Sequence, residues 1–119
     1  MKSLLSYSFE LNQLLRQIDL GGIYVEKHEP KKNKLIKIRI LDENKHKMDL
    51  LLKYLYNNFG KDALPELLEE NKVIKIANYW VVNVYKISKK AAKIITKNKN
   101  KIKAFALRNW EVSNDFEFV

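Results

Sequence analysis

The chain contains no cysteine, and its 119 residues include only three glycines and two prolines. The lack of cysteine excludes disulfides, zinc–thiolate sites and thiol catalysis, and it is typical of an intracellular protein, which we expect to be cytoplasmic. No apolar run approaches the roughly 20 residues that cross a bilayer. The N-terminal stretch is too short and too polar for a signal peptide. We therefore expect neither a membrane span nor a secretory leader.

Acidic residues are also scarce, with 14 Asp and Glu against 23 Lys and Arg, a net charge of +9. Such an imbalance causes self-repulsion, and its simplest explanation is a polyanionic partner. Nucleic acid is favoured over an anionic membrane, because no segment joins a strong apolar face to a basic one. The basic residues concentrate in two segments, 27–47 and 86–103, which hold eight each.

The hydrophobic periodicity predicts a single α+β domain over residues 1–119. The fold class that we predict is a four-stranded antiparallel sheet with helices on one face, in the order αββα(α)ββα. The predicted helices span 8–20, 47–58, 63–70 and 88–98, and the predicted strands span 22–28, 34–42, 72–77 and 79–87. The segment 101–119 gives no clear pattern, and its last residues, 111–119, are interpreted as an edge strand or a mobile tail.

The stretch Leu14–Gly22, LLRQIDLGG, joins a predicted helix to a predicted strand. Its leucines and Ile18 recur at helical spacing and predict a buried stripe. Gly21 and Gly22 are predicted to end the helix, since glycine accepts left-handed backbone angles. The rest of the chain is organised around this join.

The same stretch resembles the signature of the LAGLIDADG homing-endonuclease family, keeping its first Leu, its Ile-Asp pair and its last Gly. The αββαββα order predicted for Ser8 to Asn98 is also similar to one repeat of that family. The resemblance implies a saddle-shaped sheet that meets DNA and a homodimer formed through the signature helix. Gly21 stands where the family has its metal-binding carboxylate, and Arg16 replaces a small residue at the helix contact. The resemblance therefore implies a DNA-binding relative that has lost cleavage.

Candidate catalytic residues are few. Asp19, the only acid in the signature stretch, is a weak candidate, because the family's acid at that position is structural. His28 and His46 lie far apart in sequence and have no acidic constellation beside them. No nucleotide-binding fingerprint or catalytic triad order is present. The sequence thus favours a binding protein without cofactor or metal; if it is an enzyme, it is a metal-dependent DNA endonuclease.

The alternation of side chains along the strands predicts which residues face a partner. If Ile36, Ile38 and Ile40 face the helices, the basic residues between them face away. On the last strand we interpret Trp80, Val82 and Val84 as core and the residues between them as open. Basic, amide and tyrosine side chains suit phosphate contact, base-edge hydrogen bonding and stacking. The predicted nucleic-acid contacts are Lys37, Arg39, Lys75, Tyr79, Asn83, Tyr85, Lys86, Lys89, Lys90 and Lys93.

Two other functions fit parts of the sequence. Residues 67–95 resemble the end of a recognition helix, a two-stranded wing and the closing helix of a winged-helix transcriptional regulator. That interpretation places DNA contact on the helix predicted at 63–70. Alternatively, a small inhibitor or adaptor of viral or mobile-element origin could bind a protein partner through its sheet or its acidic-aromatic tail, 115–118. Duplex DNA is the preferred partner.

Overall fold

The computed structural model describes residues 3–20, 22–25, 35–75 and 78–117, with the side chains of residues 4, 22–25, 69–75, 78–80 and 111–117 left out. Within these residues the chain forms four α-helices and four β-strands. Short 3-10 turns at Asp42–Asn44 and Lys61–Ala63 precede the second helix and the third strand. The elements are α1 (Leu4–Gln17), β1 (Gly22–Val25), β2 (Leu35–Leu41), α2 (Lys45–Phe59), β3 (Glu66–Lys75), β4 (Asn78–Ser88), α3 (Lys89–Lys97) and α4 (Lys99–Glu117).

The sheet is built on three long antiparallel strands in the spatial order β2-β4-β3. The four-residue β1 adds to the outside of β2, and its register with β2 shifts between Gly22 and Tyr24. The regular ladder between β2 and β4 runs from the pair Leu35 and Ser88 to the pair Leu41 and Val82. The predicted fold class, a four-stranded antiparallel sheet in the order αββα(α)ββα, is therefore wrong: the sheet is built on three long strands, and the α and β elements follow in the order αββαββαα.

The predicted helix at 63–70 does not form, because β3 begins at Glu66. Leu64 has extended backbone angles, φ −84° and ψ 124°, as expected for a residue that precedes a proline. The Leu and Glu residues that follow favour helix in isolation. Their pairing with β4 supplies a ladder of backbone hydrogen bonds that overrides this propensity.

The C-terminal segment is the helix α4 rather than an edge strand or a tail. Among its described side chains, those of residues 99–110, the buried ones are Ile102, Ala106 and Trp110, spaced four apart. Only one residue per turn is buried there, a stripe too narrow to give a clear helical pattern in the sequence. Among the described residues, no helix combines the length and apolar character that a bilayer span requires.

The helices cover one face of the sheet, which we call the helix face and define by Ile36, Ile38 and Ile40. These side chains are at most 2% exposed and pack in one cluster with α1 to α4. The predicted stripe of α1 is confirmed, because Leu14, Leu15 and Ile18 are buried in the same cluster. Dimerisation through this stripe, as the resemblance implied, would require surface that the chain's own core already uses.

The end of α1 differs from the prediction, since the helix stops at Gln17, before the two glycines. Asp19 has a φ of +55° and occupies the left-handed position that usually holds glycine. The Asp19 N–H donates to the Arg16 carbonyl at 3.2 Å and the Leu20 N–H to the Leu15 carbonyl at 2.9 Å. This pair of bonds is a Schellman motif, and it ends the helix without a glycine.

Two side chains from other helices contact the carbonyls beyond α1. The Trp110 indole Nε1–H donates to the Ile18 carbonyl oxygen at 2.6 Å, and the Lys47 ammonium donates to the Asp19 carbonyl oxygen at 3.3 Å. Lys47 Nζ also lies 5.8 Å from the centroid of the Trp110 ring. The end of α1, the first turn of α2 and the middle of α4 thus meet at one corner, which we call the α1 corner.

Replacing Trp110 by Phe tests this corner. The variant loses the indole donor and leaves the Ile18 carbonyl without this partner at a buried site, so we expect about 2–3 kcal/mol of lost stability. For a chain of this size the melting temperature should fall by on the order of 10 °C. Leu107→Ala on the same helix, at a side chain that is 45% exposed, serves as the control and should change stability by about 0.5 kcal/mol or less. Equal melting temperatures for Trp110→Phe and the wild type, measured by circular dichroism, would contradict this role.

Candidate nucleic-acid interface

The face of the sheet opposite the helices carries adjacent basic residues from β2 and β4. Lys37 is directly opposite Lys86 in the antiparallel ladder, so both side chains project from the same face. Arg39 projects from that face two residues further along β2. We call this surface the basic face and define it by Lys37, Arg39 and Lys86. The prediction that the basic residues of β2 point away from the helices is confirmed by the buried and exposed alternation along the strand.

The pair of Lys37 and Lys86 has an electrostatic cost. Like charges directly opposite each other on neighbouring strands are destabilising, and the Cβ atoms of such pairs lie roughly 5 Å apart. Glu66 on β3 offsets part of this cost, since its Oε2 lies 3.3 Å from Lys86 Nζ. Lys37 is exposed. Of the charged side chains described on this face, three are cationic and one, that of Glu66, is anionic.

The apolar part of the basic face is buried. Val84, directly opposite Arg39, is 2% exposed, and Val82 is fully buried. Neither valine belongs to the main core cluster under the helices. Because β4 lies between β2 and β3, neighbouring side chains flank it on both sides, and the alkyl stems of long basic residues commonly cover such positions. The charged groups thus lie around two buried valines.

The structure contradicts the predicted contacts at Asn83 and Tyr85. The ladder sets Tyr85 opposite Ile38 and Asn83 opposite Ile40, which places both on the helix face, and each is only 1% exposed. The assumed phase of β4 was therefore wrong by one residue. The apolar pattern could not reveal this, because Val82 and Val84 on one face and Tyr85 and Ile87 on the other are all buried.

Asn83 and Tyr85 instead stabilise the layer under the helices. The Asn83 side-chain amide donates to Asp42 Oδ1 at 3.0 Å, so its buried polar group is paired. Burial raises the pKa of the Tyr85 hydroxyl above its ordinary value, and the carboxylates of Asp49 and Asp42 raise it further. Neither residue is available to a ligand on the basic face.

The remaining predicted contacts lie away from the basic face or outside the described side chains. Lys75 and Tyr79 belong to β3 and β4, but their side chains are not among those described. Lys89 is half-buried at the start of α3, while Lys90 and Lys93 are exposed on that helix. Lys90 Nζ lies 3.2 Å from Asp62 Oδ2, an ion pair between largely exposed groups that contributes little stability. The lysines of α3 therefore add positive charge near the Ser88 end of the sheet rather than a defined contact.

Among the described residues, the neighbour of the Asp19 carboxylate is a lysine. The Asp19 side chain is 91% exposed, and its Oδ2 lies 3.5 Å from Lys47 Nζ. In the part of the chain that the structure describes, no group of three or more acidic, His or Cys side chains is placed to hold a metal ion. The geometry instead gives Asp19 a backbone role as the left-handed residue of the Schellman motif.

The surface assumed by the winged-helix interpretation is absent, because residues 66–70 are part of β3 and not of a recognition helix.

A second basic region, which the sequence patterns missed, lies between α2 and α4. There Lys101 and Arg108 flank Tyr54 and Phe105 in a cleft of about 350 Å³. The two aromatic rings stack on each other, with centroids 4.1 Å apart and planes 18° apart. Since each ring already has one face covered by the other, this cleft is less suited to base stacking than an open aromatic would be.

The left-handed backbone at Asp19 gives a testable stability effect. Asp19→Gly should stabilise the protein by about 0.5–1 kcal/mol, because glycine adopts positive φ without a Cβ clash. Asp19→Ala is the matched variant, since it removes the same carboxylate and keeps the Cβ. We expect it to be less stable than Asp19→Gly in urea denaturation. Equal stability of the two variants would show that the backbone angle at residue 19 is not the determining factor.

The environment of Tyr85 predicts that the free energy of unfolding depends on pH in the alkaline range. A pKa that is raised in the folded state contributes stability that is fully present below the ordinary tyrosine value of 10.0 and is lost as pH rises through the folded-state pKa. We therefore expect the wild-type free energy of unfolding to fall more steeply above about pH 10 than that of Tyr85→Phe, which lacks the ionisable group. Tyr56→Phe, at a tyrosine that is 57% exposed, should follow the wild type. Parallel curves for Tyr85→Phe and the wild type would exclude this linkage.

Comparison with other proteins gives no independent support for the fold or for the function of the site. No protein-family model, curated protein or solved structure matches this chain. The resemblance of Leu14–Gly22 to the LAGLIDADG signature stays a prediction. The case for a function therefore depends on the geometry and charge of the basic face.

Proposed function

We propose that the chain is a nucleic-acid-binding protein that contacts the phosphate backbone of duplex DNA through the basic face and does not cleave it. The observation that carries this proposal is the pair of directly opposed lysines, Lys37 and Lys86, beside Arg39 on a sheet face that no described helix covers. Retaining like charges at this spacing has a cost, and a bound phosphate offsets it.

The overall charge supports the same partner. The net charge of +9 raises the local concentration of a polyanion and speeds its association. The basic residues of α3 and of the first turns of α4 extend the positive field beyond the basic face. Contacts of this kind position a duplex without reading its sequence. The protein should therefore bind different DNA sequences with similar affinity.

A catalytically inactive LAGLIDADG-like ancestry is part of this proposal. The helix-strand join at Leu14–Gly22 and the substitution of Gly21 for the family's metal-binding acid support it. A cytoplasmic location and a viral or mobile-element origin stay predictions from the sequence. The binding experiment distinguishes this proposal from the alternative of a protein inhibitor or adaptor.

The double variant Lys37→Ala/Arg39→Ala tests the basic face. Each phosphate contact contributes a slope of about 0.9 to the dependence of log affinity on log salt. Loss of two contacts should therefore lower the slope by nearly two and weaken duplex binding by roughly ten- to a hundredfold near 0.1 M salt. The measurement is fluorescence anisotropy with labelled duplex DNA, single-stranded DNA and RNA at two salt concentrations.

The matched control is Lys45→Ala/Lys53→Ala, which removes the same charge from exposed positions of α2 and should have a smaller effect. Tyr85→Phe should leave binding unchanged, because the ring is under the helices. Magnesium is included so that cutting is scored in the same samples, and we expect none. If the wild type shows no affinity for any of the three nucleic acids even at low salt, the proposal fails and a protein partner becomes the better explanation.

A further inference from the structure

β3 is a long strand at the edge of the sheet. It lies at one side of the sheet with β4 as its only neighbour among the described strands, and it spans ten residues without a proline. The opposite edge, β1, has only four residues. Natural proteins usually shorten, charge or cover an edge strand, because its free N–H and C=O groups can pair with another chain. An edge of this length, with no described strand beside it, is therefore a candidate interaction surface.

The outer half of β3 is also weakly supported by its own chain. β2 pairs with β4 only as far as Val82, whereas β3 pairs with β4 as far as Asn78. Among the described residues, the last part of the hairpin is thus a two-stranded arm that extends past the end of β2. Isolated two-stranded ribbons are marginally stable in water. At the other end of β3, Leu67 and Leu68 are 49% and 43% exposed.

The charge of β3 suits association with itself. The chain carries +9 overall, so most surfaces of two copies repel each other. β3 instead holds three glutamates in its first half and its only two lysines in its second half. An antiparallel arrangement of two copies brings the acidic half of each strand opposite the basic half of the other.

Symmetry narrows the possible registers. When two identical edges pair antiparallel about a two-fold axis perpendicular to the sheet, one residue must lie directly opposite its own copy. The reason is that residues directly opposite each other must point to the same face of the sheet. Centred on Asn71, the register sets Glu70 opposite Lys72 of the second copy. The bulge after Leu67 then sets Leu67 opposite Ile74 and Glu66 opposite Lys75 of the second copy.

The neighbouring registers are disfavoured by charge. A register centred on Glu70 places two glutamates opposite each other, and one centred on Lys72 places two lysines opposite each other. Like-charged pairs of this kind are destabilising. The register centred on Asn71 has four oppositely charged positions, two of Glu70 opposite Lys72 and two of Glu66 opposite Lys75, with Asn71 opposite its own copy at the axis.

We propose that the chain forms a two-fold homodimer through antiparallel pairing of the β3 edges about Asn71, so that the sheets of two copies become continuous. The occupant of this edge is therefore a second copy of the chain. The interface does not involve the signature stretch of α1, whose apolar stripe is buried within each copy. It also does not depend on nucleic acid, so it is tested in its absence.

Charge reversal at two positions provides the main test. Glu70→Lys sets a lysine opposite Lys72 of the second copy, and Lys72→Glu sets a glutamate opposite Glu70 of the second copy. We expect the wild type to sediment as a dimer at tens of micromolar and each single variant to sediment as a monomer. An equimolar mixture of the two variants should recover the dimer, because lysines then face glutamates at both positions. The double variant Glu70→Lys/Lys72→Glu, which has the wild-type composition, should also dimerise.

These outcomes separate a lost interface from a lost fold, since a misfolded variant would not regain the dimer on mixing. A monomeric wild type at 100 µM (a chosen test concentration, about tenfold above a ~10 µM dissociation constant) would overturn the proposal. A dimer that persists in both single variants would overturn it as well and would place the contact elsewhere.

Cross-linking gives a second test, because the chain has no cysteine of its own. Residues directly opposite each other across antiparallel strands have Cα atoms about 4.5–5.5 Å apart, within the range for a disulfide. Asn71→Cys should therefore form a disulfide-linked dimer under mild oxidation at low micromolar protein. Lys101→Cys, at an exposed position on α4, should remain largely monomeric on a non-reducing gel. Cross-linking at residue 71 no faster than at residue 101 would contradict the register.

Discussion

The antiparallel ladder between β2 and β4 determines the chemistry of both faces of the sheet. Setting Ile38 opposite Tyr85 places the isoleucines of β2, Tyr85 and Asn83 under the helices. The same register necessarily places Lys37 opposite Lys86 on the other face. A shift of one residue would exchange every side chain of β4 between the faces. It would bury Lys86 and expose Tyr85, at a cost far greater than that of two opposed surface lysines.

How much the sequence could predict depended on how different the two faces of each element are. In β2 one face is aliphatic and the other is charged, so its orientation was predicted correctly. In β4 both faces carry buried residues, and Asn83 is satisfied by Asp42, which lies 41 residues away in sequence. No local pattern contains that partner. The tyrosine and asparagine contacts were therefore lost from the candidate site, while the basic residues of β2 were retained.

The errors at β3 and α1 share a cause, which is that local propensity was used where tertiary contacts decide. Residues 66–70 favour helix until β4 pairs with them. Gly21 and Gly22 suggested a helix end, yet Asp19 adopts the left-handed angle. The Trp110 indole and the Lys47 ammonium bond to the Ile18 and Asp19 carbonyls. Trp110 belongs to the segment 101–119, for which the sequence pattern predicts no clear secondary structure. This segment thus stabilises the turn on which the family resemblance is based.

The proposed dimer and the proposed interface support each other geometrically, although each is tested alone. A two-fold axis perpendicular to the sheet keeps both basic faces on one side and both helical layers on the other. Between the two copies of Lys37 lie five strand spacings of about 4.8 Å, and the register about Asn71 displaces them along the strands by roughly 26 Å at 3.3 Å per residue. The twist of roughly −20 to −25° per strand also turns the second basic face relative to the first. The dimer would therefore present the two basic faces as two separate sites, because their positions are set by the lysine pair of one ladder and the self-complementary charges of another.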